Sequence, residues 1–217
     1  MNLNRRHCIA LAAVLACSGI CRNGAAATAK PQRPALLVLG DSLSAEYGLK
    51  RGTGWVALLE QKLQAEKIKA EVVNASISGD TSSGGRARLA ALLAQHQPTL
   101  VVIELGGNDA LRGLPLDLTR DNLLAMTRLA QQSGAKVVLL GMQVPPNYGR
   151  DYAQRFSRMY TDVAKSTRAA LVPFFLKGIA DTPDSMAWFQ ADRIHPKEEA
   201  HPRMLANAWP AIKKGLQ

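Results

Sequence analysis

The sequence predicts a single-domain α/β protein, a three-layer sandwich with a parallel sheet covered by helices on both faces. Three observations carry this. Five short, nearly continuous apolar runs recur along the chain, the pattern of strands buried on both faces rather than one. Segments with apolar residues at helical spacing lie between them, so strand and helix alternate. The length, 217 residues with 47% apolar, suits one domain with a sizeable core.

The first strand is predicted at Ala35 to Leu39, ending at Gly40, after a stiff lead-in, Lys30-Pro31-Gln32-Arg33-Pro34. The other strands are predicted at Ala70 to Ala75, Thr99 to Leu105, Lys136 to Leu140 and Ala170 to Phe174. Helices are predicted over Trp55 to Lys67, Gly85 to Gln95, Asp117 to Gln132 and Asp151 to Thr167. Leu89, Leu92 and Leu93 mark the buried stripe of one, and Leu123, Met126, Leu129 and Ala130 that of another. Ser133-Gly134 supplies a C-terminal stop before the fourth strand. The last helix is predicted to begin near His201-Pro202, and Pro210 inside its pattern predicts a kink or an early end.

Residues 1–29 read as a targeting segment, leaving residues 30–217 as the folded domain. Asn4-Arg5-Arg6 gives a positive start, Ile9 to Ala16 a short apolar run, and Ala25 to Ala29 small-x-small cleavage patterns. The apolar run is well short of the roughly 20 residues that span a bilayer. The expected location is therefore the periplasm or the medium. Arg5-Arg6 weakly resembles a twin-arginine signal, and Val14-Leu15-Ala16-Cys17 a lipoprotein site that would anchor the chain through Cys17. Cleavage near Ala29 removes three of 27 basic residues and none of 17 acids, so the net charge falls from +10 to +7. It also removes Cys8, Cys17 and Cys21, all the cysteines, which excludes thiol catalysis and disulfides. The basic residues are dispersed and aromatics are only 5%, so no nucleic-acid partner is expected.

The loops after the apolar runs carry specific chemistry. Gly40-Asp41-Ser42-Leu43-Ser44 follows the first, Asn74 to Asp80 the second, Gly106-Gly107-Asn108-Asp109 the third, and Asp192-Arg193-Ile194-His195 stands near the C-terminus. In a parallel sheet such loops gather at the carboxyl ends of the strands, where ligands bind. A serine hydroxyl is a weak nucleophile until a histidine takes its proton, and a carboxylate must hold that histidine in the right tautomer. Asp192, three residues before His195, fits that task. The backbone N–H groups of Ser42 and Gly79 and the side-chain NH2 of Asn108 are candidate donors to the oxyanion of an attacked carbonyl. Each residue alone reads as turn, cap or surface chemistry; the four motifs together reverse that reading. Glu104, in the third strand, reads as a buried acid satisfied by loop N–H groups rather than a glycosidase carboxylate. His96, His195 and His201 are the only histidines beyond residue 29, and none stands in a metal-binding spacing, so no metal and no cofactor is expected.

Gly40-Asp41-Ser42-Leu43, Gly79, Gly106-x-Asn108-Asp109 and Asp192-x-x-His195 resemble the four blocks of the SGNH (GDSL) hydrolases. The longer stretches Asn74 to Ser82 and Glu104 to Gly113 are most similar to that family's bacterial periplasmic thioesterase/lysophospholipase branch, and the similarity runs over residues 35–216. The resemblance implies Ser42 as nucleophile, His195 as base, Asp192 as its partner, and Ser42, Gly79 and Asn108 as the oxyanion hole. It implies a flavodoxin-like sheet of order 2-1-3-4-5 and medium to long acyl substrates, with Leu111, Leu114 and Val144 walling the acyl pocket. Glu46 departs from the family's small residue and is expected to set a charge near the mouth of the site. Ser42 lacks the G-x-S-x-G elbow, which argues against an ordinary α/β-hydrolase.

The expected activity is hydrolysis of carboxylic esters and thioesters through an acyl-enzyme. A carbohydrate or peptidoglycan O-acetylesterase on the same scaffold is the alternative, and a non-catalytic envelope-binding protein the competing class. The expected partners are a small-molecule or lipid ester and, transiently, a lipid surface, with the protein acting as a monomer.

Overall fold

The computed structural model describes residues 34–217; the targeting segment lies outside the described residues. Five strands form one parallel sheet in the order β2-β1-β3-β4-β5: β1 (Ala35–Gly40), β2 (Glu71–Asn74), β3 (Leu100–Glu104), β4 (Lys136–Leu140) and β5 (Ala170–Val172). Leu36, Leu37, Val38 and Leu39 of β1 have no exposed surface, as expected of a strand covered on both sides. The helices are α1 (Trp55–Ala65), α2 (Ser82–His96), α3 (Gly107–Leu111), α4 (Leu116–Gln132), α5 (Arg150–Thr167) and α6 (His201–Leu216). α1 packs with α6 in one layer, and α4 packs with α2 and α5 in the other.

The boundaries differ from expectation where local chemistry decides. α2 begins three residues early, because Thr81 caps it by accepting the Gly84 N–H on Oγ1, so Ser82-Ser83-Gly84-Gly85 form its first turn. β5 stops at Val172 because Pro173 has no N–H to give a ladder. α6 does not end early at Pro210 but runs six residues further. A proline inside a helix costs about 3 kcal/mol, and burial of Ile212 beyond it, with Met204 and Ala208 before it, offsets that cost.

His201, the first residue of α6, is 2% exposed and accepts the Trp55 N–H on Nδ1 at 3.0 Å, tying the starts of α1 and α6 together. Burial pushes its pKa down to about 4, against a pull upward from the Pro196 carbonyl. The folded value lies below the unfolded value of about 6.5. The neutral ring therefore stabilises the fold fully above pH 6.5, and that stability is lost as pH falls toward 4. Between pH 7 and 5 the loss amounts to about 2 kcal/mol. Asp41 and Glu104, whose raised pKa values act in the opposite sense, titrate in both chains of the comparison. Urea unfolding at the two pH values is thus expected to show the parent losing about 2 kcal/mol more than His201→Gln; equal losses contradict this role.

Candidate active site

The chain leaves β1 outward to β2 and returns to β3 on the other side, so the boundary between β1 and β3 is where strand order reverses. Ser42 lies just past β1, Gly79 in the loop after β2, and Asn108 on α3 just past β3.

The turn that presents Ser42 is built by its neighbour. Asp41 Oδ1 accepts the Leu43 N–H at 3.0 Å, while its carbonyl accepts the N–H groups of Ser44 and Ala45. Beneath it, Glu104 is 1% exposed and its Oε2 accepts the Ser44 hydroxyl at 2.8 Å and the Asp41 N–H at 3.4 Å. Ser44 Oγ in turn accepts the Trp55 indole N–H at 3.1 Å. Burial pushes the Glu104 carboxyl well above the usual range, and the neighbouring Asp41 charge adds to it. Burial raises Asp41 to about 6, against the opposing Leu43 N–H and a hydrogen bond with Glu104. Glu104 is thus the buried, satisfied acid that its sequence context predicts.

The C-terminal loop brings the acid–base pair onto Ser42. Ser42 Oγ stands 2.9 Å from His195 Nε2, and His195 Nδ1 stands 2.7 Å from Asp192 Oδ2. Asp192 Oδ1 accepts the N–H groups of Ile194 and His195, both at 3.0 Å. Desolvation works to raise the Asp192 carboxyl, but the His195 hydrogen bond and the two backbone N–H groups outweigh it and hold the value at about 2. The ring of His195 also lies against Tyr47, with 4.2 Å between centroids. Gln190 joins the two loops, donating from Nε2 to the Tyr47 and Pro196 carbonyls at 3.0 and 3.1 Å.

Gly79 has φ +77°, a left-handed conformation in which a side chain is strained. Asn108 Nδ2 donates to Asp41 Oδ2 and to the Asp80 carbonyl, both at 3.0 Å. Gly106 (φ +115°) turns the chain into α3, where a Cβ would collide with the Tyr160 hydroxyl. Asp109 fixes α3 to the start of α2: its carboxylate accepts the Ser82 N–H at 2.8 Å, the Ser82 hydroxyl at 2.5 Å and the Thr119 hydroxyl at 3.1 Å. Arg88 of α2 holds the surrounding loops in register. It pairs with Asp80 at 2.8 Å, donates to the Gly40 carbonyl at 3.4 Å, and donates to the Ala75 carbonyl. One guanidinium therefore touches the residue before Asp41-Ser42, the residue just past β2 and the residue after Gly79.

The structure thus joins Ser42, His195 and Asp192 by direct hydrogen bonds, and Gly79 and Asn108 through the Asp80 carbonyl. The acyl-pocket residues are more dispersed. Leu111 is exposed at the end of α3 and Leu114 is half-buried, its N–H on the Asp109 carbonyl. Val144 lines a groove of about 520 Å³ with Gln143, Arg150, Ala153 and Gln154. Glu46 does not present a free charge at the mouth: its carboxylate accepts the Gly52 N–H at 3.0 Å and the Gly54 N–H at 2.8 Å. Two unpaired backbone donors in the following loop claim it first. Arg88, Gln190 and Tyr47 carry no motif, and no sequence signal marks them.

Known proteins share this fold and much of this sequence. The GDSL-like lipase/acylhydrolase family matches residues 38–203. Esterase TesA of Pseudomonas aeruginosa is 56% identical over 178 residues, 82% of this chain and 87% of that protein. Thioesterase 1/protease 1/lysophospholipase L1 of Escherichia coli K12 is 46% identical over 167 residues, 77% of each. A crystal structure of TesA superposes with a TM-score of 0.80 at 54% identity, covering 84% of this chain and 99% of that one. The psychrotrophic esterase EstA from Pseudoalteromonas sp., inhibited by monoethylphosphonate, gives a TM-score of 0.77 at 43% identity over 83% and 97%. With the family matched over most of its length and its sheet in the order 2-1-3-4-5, the chain belongs to the GDSL-like lipase/acylhydrolase family and is a serine ester hydrolase.

Proposed function

We propose that the protein is an exported esterase that cleaves carboxylic esters and thioesters through an acyl-enzyme on Ser42. The unbroken line Asp192–His195–Ser42, with steps of 2.7 and 2.9 Å, is the observation that supports this best. With Asp192 accepting the Nδ1 proton, Nε2 keeps a lone pair toward the Ser42 hydroxyl. His195 takes that proton as Ser42 Oγ bonds to the ester carbon, and the N–H groups of Ser42 and Gly79 with the Asn108 amide stabilise the oxyanion. The imidazolium then returns the proton to the leaving alcohol or thiol. Water, deprotonated by His195, releases the acid by the same route reversed. Asn108 enters this scheme with both amide hydrogens already engaged by Asp41 and Asp80, so an oxyanion shares or displaces one of those bonds.

Medium to long acyl chains of lipid esters are the proposed substrates, with Leu111, Leu114 and Val144 bordering the chain. The tripartite sequence of residues 1–29 supports export to the periplasm, where such esters occur. Among the described residues no helix is long and apolar enough to cross a membrane. An organophosphonate is expected to label Ser42 covalently, read as one adduct on the Ser42 peptide by mass spectrometry. Labelling elsewhere, or none, contradicts the assignment.

A further inference from the structure

The described residues expose six large hydrophobic side chains, and all six lie in the connections that leave the carboxyl ends of strands or in the helical turn that follows. Four of them border the reacting groups. Tyr47 lies on the His195 ring, Ile77 precedes Gly79 by two residues, Leu111 follows Asn108 by three, and Ile194 adjoins His195; they are 44–53% exposed. Isolated exposed hydrophobics are ordinary, but a cluster around one opening marks an interaction surface.

The carboxylates that flank the reacting groups are engaged internally: Asp41 by Leu43 and Asn108, Glu46 by Gly52 and Gly54, Asp80 by Arg88, Asp109 by Ser82 and Thr119, Asp192 by His195. Glu198 and Glu199, three and four residues past His195, are exposed and form no ion pair among the described residues. The cations on these loops outnumber them. Lys50, Arg51, Arg112 and Arg193 are exposed, and none of them forms an ion pair among the described residues. Arg112 donates to the Gly79 carbonyl at 2.7 Å, which sets a guanidinium at the lip of the site.

We infer that Tyr47, Ile77, Leu111 and Ile194, with Lys50, Arg51, Arg112 and Arg193, form a docking face for an anionic phospholipid surface, which seats the opening of the site on the lipid. Apolar side chains that enter the headgroup layer and cations that stay among the phosphates are the combination such a surface recognises. This rests on the lipid-ester reading above and adds that the enzyme works at the lipid surface itself.

Sedimentation with vesicles tests it, using Ser42→Ala chains so that no lipid is consumed. Each variant is compared with a parent of the same length, so residues 1–29 contribute equally to both. The parent is expected to bind phosphatidylglycerol/phosphatidylcholine vesicles more tightly than pure phosphatidylcholine, with the difference fading at high salt. Arg51→Gln/Arg193→Gln is expected to weaken binding to the anionic vesicles roughly 25-fold, about fivefold per cation, and to remove the preference. Ile77→Ser/Ile194→Ser is expected to weaken binding to both vesicle types by roughly tenfold. Thermal midpoints within about 2 °C of the parent establish that both variants fold.

Equal binding of the parent to the two vesicle types, or parental binding by both variants, overturns the proposal. So does heparin binding as tight as lipid binding and untouched by the isoleucine changes, which points to a polyanionic polymer instead. Turnover of a soluble short-chain ester by the Ser42 enzyme separates the two readings. Turnover without vesicle preference removes the docking face alone, whereas rim-dependent vesicle binding without turnover removes the esterase reading and keeps the face.

Discussion

Asp192→Asn is expected to lower kcat by roughly 10⁴-fold while the thermal midpoint hardly moves. The geometry makes the direction of the effect specific. Asp192 Oδ1 accepts two backbone N–H groups, from Ile194 and His195, and only Oδ2 faces the ring. An asparagine in the same place keeps its carbonyl oxygen on the two N–H donors, since the reverse would set an NH2 against both. Its NH2 is then forced toward His195 Nδ1, which becomes an acceptor, and the ring proton moves to Nε2. That nitrogen, 2.9 Å from Ser42 Oγ, no longer accepts the serine proton. The measurement is kcat on a soluble ester for parent and variant, alongside thermal unfolding. Activity near the parental level means that another group orients His195.

Asn108→Ala is expected to lower kcat by roughly 10²–10³-fold, the loss typical of one oxyanion donor. A second contribution comes with it. The Asn108 amide bridges Asp41 Oδ2 and the Asp80 carbonyl, so its removal unties the Ser42 turn from the Gly79 loop. The Arg88 guanidinium spans the same two loops and limits how far they separate. The fall is therefore expected in kcat, with KM changed far less, because the ground-state carbonyl needs the donor less than the oxyanion does. Steady-state kinetics over an ester concentration series reads the split. A rise in KM at constant kcat assigns Asn108 to substrate binding instead.

The sequence made the sheet and the reacting residues legible for the same reason. The buried strands are apolar without alternation, and Asp192 and His195 are close enough in the chain for one short loop to hold both. The remainder depends on tertiary placement. Arg88 sits in α2, where its spacing is that of any polar helix residue, and only the folded sheet ends give it three partners. Gln190 and Tyr47 are joined across 143 positions of sequence. Glu46 reads as a charge beside the nucleophile motif, yet the backbone donors of Gly52 and Gly54 claim it. Pro210 reads as a helix breaker, and burial of the residues around it overrides that local rule. The short α3 carries Asn108 but has too few residues for a periodic signal.

Hydrolysis rates of p-nitrophenyl esters from acetyl to palmitoyl, for the parent and Ser42→Ala, probe the nucleophile and the acyl preference together. Turnover is expected to vanish in Ser42→Ala and, in the parent, to climb toward medium and long acyl chains. Turnover that survives Ser42→Ala contradicts the nucleophile assignment. Ser42-dependent rates highest at acetyl contradict the lipid-ester substrates and match an O-acetylesterase.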